Sequence, residues 1–249
     1  DHVLEQRVVL ADGTIAHLRP LSPQELEAVC AGDGLEAKCY RTVRRLAGEC
    51  AEEVDRRFPK ILRRVGGYNL DAFVRPDTPF NLVKLLVGSE GTLGVVVEAK
   101  LKLVPIPRGR VLLVIHFHDL LEALAVTPAI LEHSPSAIEV LDRFILDYSR
   151  ANPLLESLRD FIRGDPGAVL IVEFHGERSE SLGPRLEALE SDLAARKSGY
   201  HYHRAVEPAA QSRIWSLRKA ALGLSMAMKG DAKSLSFVED TAVAPEKLR

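Results

Sequence analysis

Apolar and polar positions alternate from the first residues, with Val3, Leu4, Val8, Val9 and Leu10 opening a strand pattern. Arg7–Leu18 continues it on both sides of Ala11-Asp12-Gly13-Thr14, and Asp-Gly between two apolar runs predicts a β-hairpin. Ser22 is placed to cap a helix with Pro23 at its first position and Glu25 in its first turn, and Thr42 to Arg57 reads as a second amphipathic helix ending before Pro59. Ala31–Gly34 between them is a loop. Arg64–Asp71, with its paired glycines, is irregular; Leu82–Val87 is a short apolar helix or strand, and Gly88–Gly94 is a turn. Val95–Val104 then alternates with period two, Glu98, Lys100 and Lys102 facing one way and Val97, Ala99, Leu101 and Leu103 the other, which predicts a half-buried strand.

Pro105-Ile106-Pro107-Arg108-Gly109 interrupts this regularity and predicts a boundary, dividing the chain into residues 1–107 and 108–249. Beyond it the pattern gives a strand at Val111–Phe117, a helix at Leu120–His133 and a short strand with a helix over Ala137–Ser149. A strand at Ala168–His175, a helix at Leu182–Lys197, a strand at His201–Ala205, a helix at Pro208–Met228 and a strand at Ser234–Val238 complete it. Single helices crossing between short strands fit an α+β fold with helices on one face of a mainly antiparallel sheet.

Composition narrows the class. The 249 residues are 46% hydrophobic and 27% charged with a formal net charge of −2, the balance of a globular protein able to bury a core. No long basic run offers a footprint for nucleic acid, and the local cluster Arg41, Arg44 and Arg45 reads as a solvated helix face. No apolar run approaches the roughly 20 residues of a membrane span. Cys30, Cys39 and Cys50 form no C-x-x-C pair, which argues against zinc and disulfide frameworks and for a reducing, cytoplasmic setting. The chain reads as an internal piece, trimmed at both ends, of a longer polypeptide.

Three features could carry chemistry. Gly88-Ser89-Glu90-Gly91-Thr92-Leu93-Gly94 is neither G-x-G-x-x-G nor a phosphate loop, and a strand follows it; its glycines are either a tight turn or backbone free to approach a flat ligand. His201 and His203 would share one strand face, but no carboxylate or third histidine stands near them in sequence, so a surface or core role is expected and no metal. Arg218 falls within the apolar half of the last helix, beside Ile214 and Leu217. There a guanidinium must snorkel outward or find an anion, because an unpaired buried charge costs several kcal/mol. That anion is either a ligand carboxylate or an internal one such as Glu139 or Asp142.

The run Gly88–Pro107, preceded by Arg63–Asp71, closely resembles the second half of the flavin domain in FAD-linked oxidases of the vanillyl-alcohol-oxidase type, in the branch of glycolate oxidase flavin subunits, D-lactate dehydrogenases and D-2-hydroxyglutarate dehydrogenases. Ala137–Asp142 and Val238–Leu248 are similar to stretches of that branch's substrate domain. The resemblance implies the C-terminal portion of a PCMH-type FAD-binding domain followed by a ferredoxin-like antiparallel-sheet cap domain. It implies FAD as cofactor, with Gly88, Ser89, Glu90, Gly91, Thr92, Gly94 and Val95 lining it and Gly67, Tyr68 and Asn69 close by. A packed Tyr68 on a turn is an equal reading. The pattern Trp215-x-x-Arg218 is similar to one whose arginine binds the carboxylate of a small 2-hydroxy acid of the lactate, glycolate or 2-hydroxyglutarate type. The pyrophosphate-binding half of the flavin domain and the family's downstream histidines have no counterpart here, so the resemblance implies a segment that neither holds FAD firmly nor turns over alone. The alternatives are a non-catalytic α+β binding module in which the glycine run is only a turn, and an FAD-linked reductase or oxidase of a different substrate.

Overall fold

The computed structural model describes residues 2–61, 64, 66–75, 78–226 and 241–249, with only the backbone of 222 and 224–226; the strand expected at Ser234–Val238 lies outside them. The chain divides into two compact units. The first holds the described residues up to Pro105 with 241–243, and the second runs from Ile106 and includes 244–249.

In the first unit β1 (Val3–Val9) and β2 (Ile15–Leu18) form the hairpin, closed by Gly13 at φ 85° and by the Asp12 carboxylate, which accepts from the Thr14 N–H at 2.9 Å. Helix α1 (Pro23–Cys30) starts with a full capping box: Ser22 Oγ accepts from the Glu25 N–H and the Glu25 carboxylate from the Ser22 N–H. The single helix expected up to Arg57 is two, α2 (Leu35–Glu49) and α3 (Ala51–Arg57), broken at Cys50. Glu52 and Glu53 in the first turn of α3 and Arg56 and Arg57 in its last complement a separate helix dipole. On the surface of α1 and α2, Arg44 pairs with Glu27, Arg45 with Glu49, and Arg41 donates to the Cys30 and Gly32 carbonyls, so that arginine cluster is self-satisfied.

Helix α4 (Val83–Leu86) precedes β3 (Val95–Leu101), and the sheet order is β2-β1-β3. Val8, Ala16, Leu18, Tyr40, Val43 and Val83 form the core beneath it. The half-buried β3 expected from its alternation is not observed: every one of its residues is exposed, Val95 by 65% and Val97 by 57%. It pairs with β1 on one side only and is a sheet edge, and the exposure of all its residues means that no layer covers its faces among the described residues.

The second unit contains β4 (Gly109–Phe117), α5 (Leu120–Glu132), β5 (Ala137–Asp142), α6 (Arg143–Ala151), β6 (Ala168–Gly176), α7 (Gly183–Ala195), β7 (His201–Ala205) and α8 (Pro208–Met226). The wholly antiparallel sheet runs β5-β6-β4-β7, the ferredoxin-like order of a β-α-β-β-α-β chain. Helices cover both faces, not the single face expected. Leu113, Ile115, Leu170 and Val172 meet α5 and α7, while Leu112, Val114, Val169 and Ile171 meet α6 and α8. This double cover explains why β4 and β6 are near-continuous apolar runs. A strand buried on both faces cannot afford alternation.

Candidate functional site

The glycine run is a tight, left-handed turn. Gly88 (φ 85°), Glu90 (φ 51°) and Gly91 (φ 76°) all take positive φ, and a Cβ at Gly88 or Gly91 would meet nothing within 4 Å. Their requirement is conformational, and the backbone there stands clear of protein. Gly94 differs: a Cβ would lie 2.7 Å from Val8 Cγ1, so it is glycine because β1 passes against it. Ser89 is buried, Thr92 Oγ1 donates to the Ser89 carbonyl at 2.6 Å, and Val95 opens the exposed strand.

The earlier segment is tied to this turn. Tyr68 Oη and Thr92 Oγ1 are 2.8 Å apart. Asn69 Nδ2 donates to the carbonyls of Lys84 and Val87, each at 3.1 Å, and its Oδ1 accepts from Arg64 at 3.0 Å. Asn69 is therefore a clamp whose amide is fully engaged by protein. Gly67 (φ 74°) is open to solvent, and Tyr68 is 46% exposed, so it is not packed in a core.

In the second unit α8 grips three strands in succession. Gln211 Nε2 donates to the Arg110 carbonyl of β4 at 2.9 Å, Trp215 Nε1 to Glu173 of β6 at 3.0 Å, and Arg218 Nε to Glu139 of β5 at 2.9 Å. Glu173 is 6% exposed, and its second oxygen accepts from His175 Nε2. Arg218 thus meets one of the internal carboxylates considered above. Its side chain remains 43% exposed, and among the described residues only Nε is engaged.

His201 and His203 do share a face of β7, opposite His116 and Val114 of β4. No group of three His, Cys, Asp or Glu among the described residues is arranged to hold a metal. His116 is fully buried; its Nε2 accepts from the Arg163 N–H at 3.3 Å, so Nδ1 carries the proton toward the His201 carbonyl at 3.3 Å. Burial, then the neighbouring His201, pushes its pKa down to about 4. Burial also lowers that of His203.

Residues 106–249 match the protein family described as "FAD linked oxidases, C-terminal domain". The chain belongs to this family. Along its whole length it is 34% identical to a D-2-hydroxyglutarate dehydrogenase of Pseudomonas putida and 33% identical to one of Escherichia coli K12. It covers 25% of each of those proteins, about a quarter of their length. A D-lactate dehydrogenase of Anaerostipes hadrus is 27% identical over 59% of this chain and 32% of that protein. No helix among the described residues is long and apolar enough to cross a membrane.

Glu173 is the residue that the sequence pattern did not single out. Its signal was present as one carboxylate inside the apolar run Ala168–Phe174, where an unpaired charge would be costly. The indole that satisfies it stands three residues before Arg218.

Proposed function

We propose that this chain is part of an FAD-dependent oxidoreductase that oxidises a small D-2-hydroxy acid, and that Arg218 binds the substrate carboxylate. The observation that carries the reading is the half-engaged guanidinium of Arg218 on a helix fixed to three strands, in a chain akin to D-2-hydroxyglutarate and D-lactate dehydrogenases. A carboxylate takes an arginine best as a bidentate, charge-assisted pair, and the terminal nitrogens left by Glu139 offer that edge. Glu139 holds the fork's orientation through Nε and so contributes positioning.

The glycine turn fits the approach of a flat cofactor. Gly88 and Gly91 present unobstructed left-handed backbone next to the exposed apolar Val95, and Tyr68 and Thr92 present linked hydroxyls beside them. The residues that would hold FAD are these together with Gly67, Ser89 and Glu90, while Asn69 and Gly94 act through the scaffold. When bound, FAD supplies the acceptor for the hydride of the substrate's Cα, and the protein supplies position and electrostatics. On this reading the chain divides near residue 107 into a flavin-domain portion and a cap domain, and the family match over residues 106–249 supports the second of these.

The test is made in the intact enzyme. Arg218→Lys keeps a charge but loses the planar fork, and Arg218→Ala loses both; kcat/KM for the 2-hydroxy acid is expected to fall in both, in Ala by about 30-fold, the equivalent of about 2 kcal/mol for one charge-assisted pair. Flavin content and fold are expected to hold. Unchanged kcat/KM in Arg218→Ala overturns the assignment and leaves the Glu139 pair as a structural tie.

A further inference from the structure

A cleft of about 600 Å³ runs along α8 in the second unit, between Trp215 and Lys219 on the helix and Arg108 and Arg110 at the start of β4. Arg108, Arg110 and Lys219 bring positive charge to it from both walls. Among the described residues none of the three side chains forms an ion pair or a hydrogen bond; Arg110 takes part through its backbone alone, its N–H donating to Ser179 Oγ and its carbonyl accepting from Gln211. Elsewhere on this unit Arg204, Arg213 and Arg218 each hold a carboxylate. The chain has 35 acidic residues against 33 basic ones, so uncompensated cations are not forced by composition.

Glu173 is the one carboxylate among the cleft's lining residues; it forms no ion pair with the three cations, and its single charge offsets one of them. It is 6% exposed, one oxygen accepts from the Trp215 indole and the other from His175. Ser212 and Ser216 add hydroxyls from the same side of α8. A concave site with an excess of one sign of charge, here three cations against one carboxylate, concentrates counter-ions. Among the described residues these cations converge with an excess of positive charge and no ion pair, which an anion would satisfy.

We propose that this cleft binds a small multivalent anion, carboxylate or phosphate in chemistry, through Arg108, Arg110 and Lys219. The site does not depend on the oxidoreductase reading: Arg218 is not among its lining residues, and its ligand need not be the substrate.

Trp215 is the chain's only tryptophan and lines the cleft, so its emission reports occupancy. The chain is titrated with inorganic phosphate and, separately, with citrate, each against sodium chloride at matched ionic strength, with calorimetry alongside to read binding that leaves the indole unperturbed. Saturable binding of at least one polyanion is expected, with none for chloride. Phosphate alone or citrate alone then names the chemistry. Arg110→Gln and Lys219→Gln, both on exposed side chains, are expected to weaken it about tenfold each, the worth of one charge-assisted contact. Arg204→Gln on β7, a control with its own carboxylate partners, is expected to bind as the wild type does. No saturable binding by either method, an equal response to chloride, or undiminished affinity in the Arg110→Gln/Lys219→Gln double variant, with its far-UV spectrum unchanged, overturns the proposal.

Discussion

Acid is expected to destabilise the second unit through one buried side chain, His116. The folded protein holds its pKa at about 4 against an ordinary 6.5. Above pH 6.5 neither the folded nor the unfolded chain protonates it, and the neutral ring's two hydrogen bonds are intact. Between pH 6.5 and 4 the unfolded chain binds a proton that the folded one refuses, so stability falls as pH falls, and the loss is complete below about 4. At about 1.4 kcal/mol per pH unit of displacement, that gap is worth about 3 kcal/mol. A proton on Nε2 would face the Arg163 N–H, and His201 and then His203 beside it oppose a further positive charge. Urea unfolding followed by Trp215 fluorescence reports the unit that contains His116. His116→Gln cannot titrate, so it is expected to be less stable than the wild type at pH 7.5 and to close about 3 kcal/mol of that difference by pH 4. Subtracting the two curves removes the common contribution of His203. If both proteins lose stability in parallel across this range, the buried neutral imidazole is not the acid-sensitive group.

Other outcomes follow from particular contacts. Glu173→Ala strips the Trp215 indole and His175 of their shared acceptor and is expected to cost about 2–3 kcal/mol in urea unfolding, with a shift in Trp215 emission; Glu173→Gln, which can still accept, should cost less. Gly167→Ala would place a Cβ 2.1 Å from the His118 carbonyl oxygen and is expected to lower the thermal midpoint, while Gly183→Ala, with nothing within 4 Å, is expected to leave it near wild type. Limited proteolysis should cut first around Leu103–Ile106, where Leu103 is 86% and Ile106 82% exposed, before the buried strands β4 and β6; mass spectrometry of the first fragments decides it.

The sequence pattern located elements well where a local rule acts alone. The Asp12-Gly13 hairpin, the Ser22 cap and the His201–Ala205 strand stand where period and capping place them. It erred where the tertiary setting decides. Period two in Val95–Leu101 signals a strand with two unlike faces, but burial of one face needs a covering layer that alternation cannot supply. The continuous apolar runs of β4 and β6 held the information that both sheet faces are covered. At the candidate site, glycines needing positive φ were legible as a group, whereas Gly94 owes its identity to Val8, 86 positions earlier in the chain and visible only in the fold. Arg218 was legible as a charge on an apolar stripe, and its choice of Glu139 over Asp142 follows from the crossing of α8 over β5.

That crossing has a mechanical consequence. Gln211, Trp215 and Arg218 are rungs four and then three residues apart, about 6 and 4.5 Å along the helix axis, close to the 4.8 Å between neighbouring strands. The helix is thus bolted across the sheet at three points, each to a different strand. Glu139 holds only Nε, so a carboxylate taking the terminal nitrogens would leave all three bolts tight and meet a fork on a stationary shaft. Affinity gained there is not spent on moving the helix.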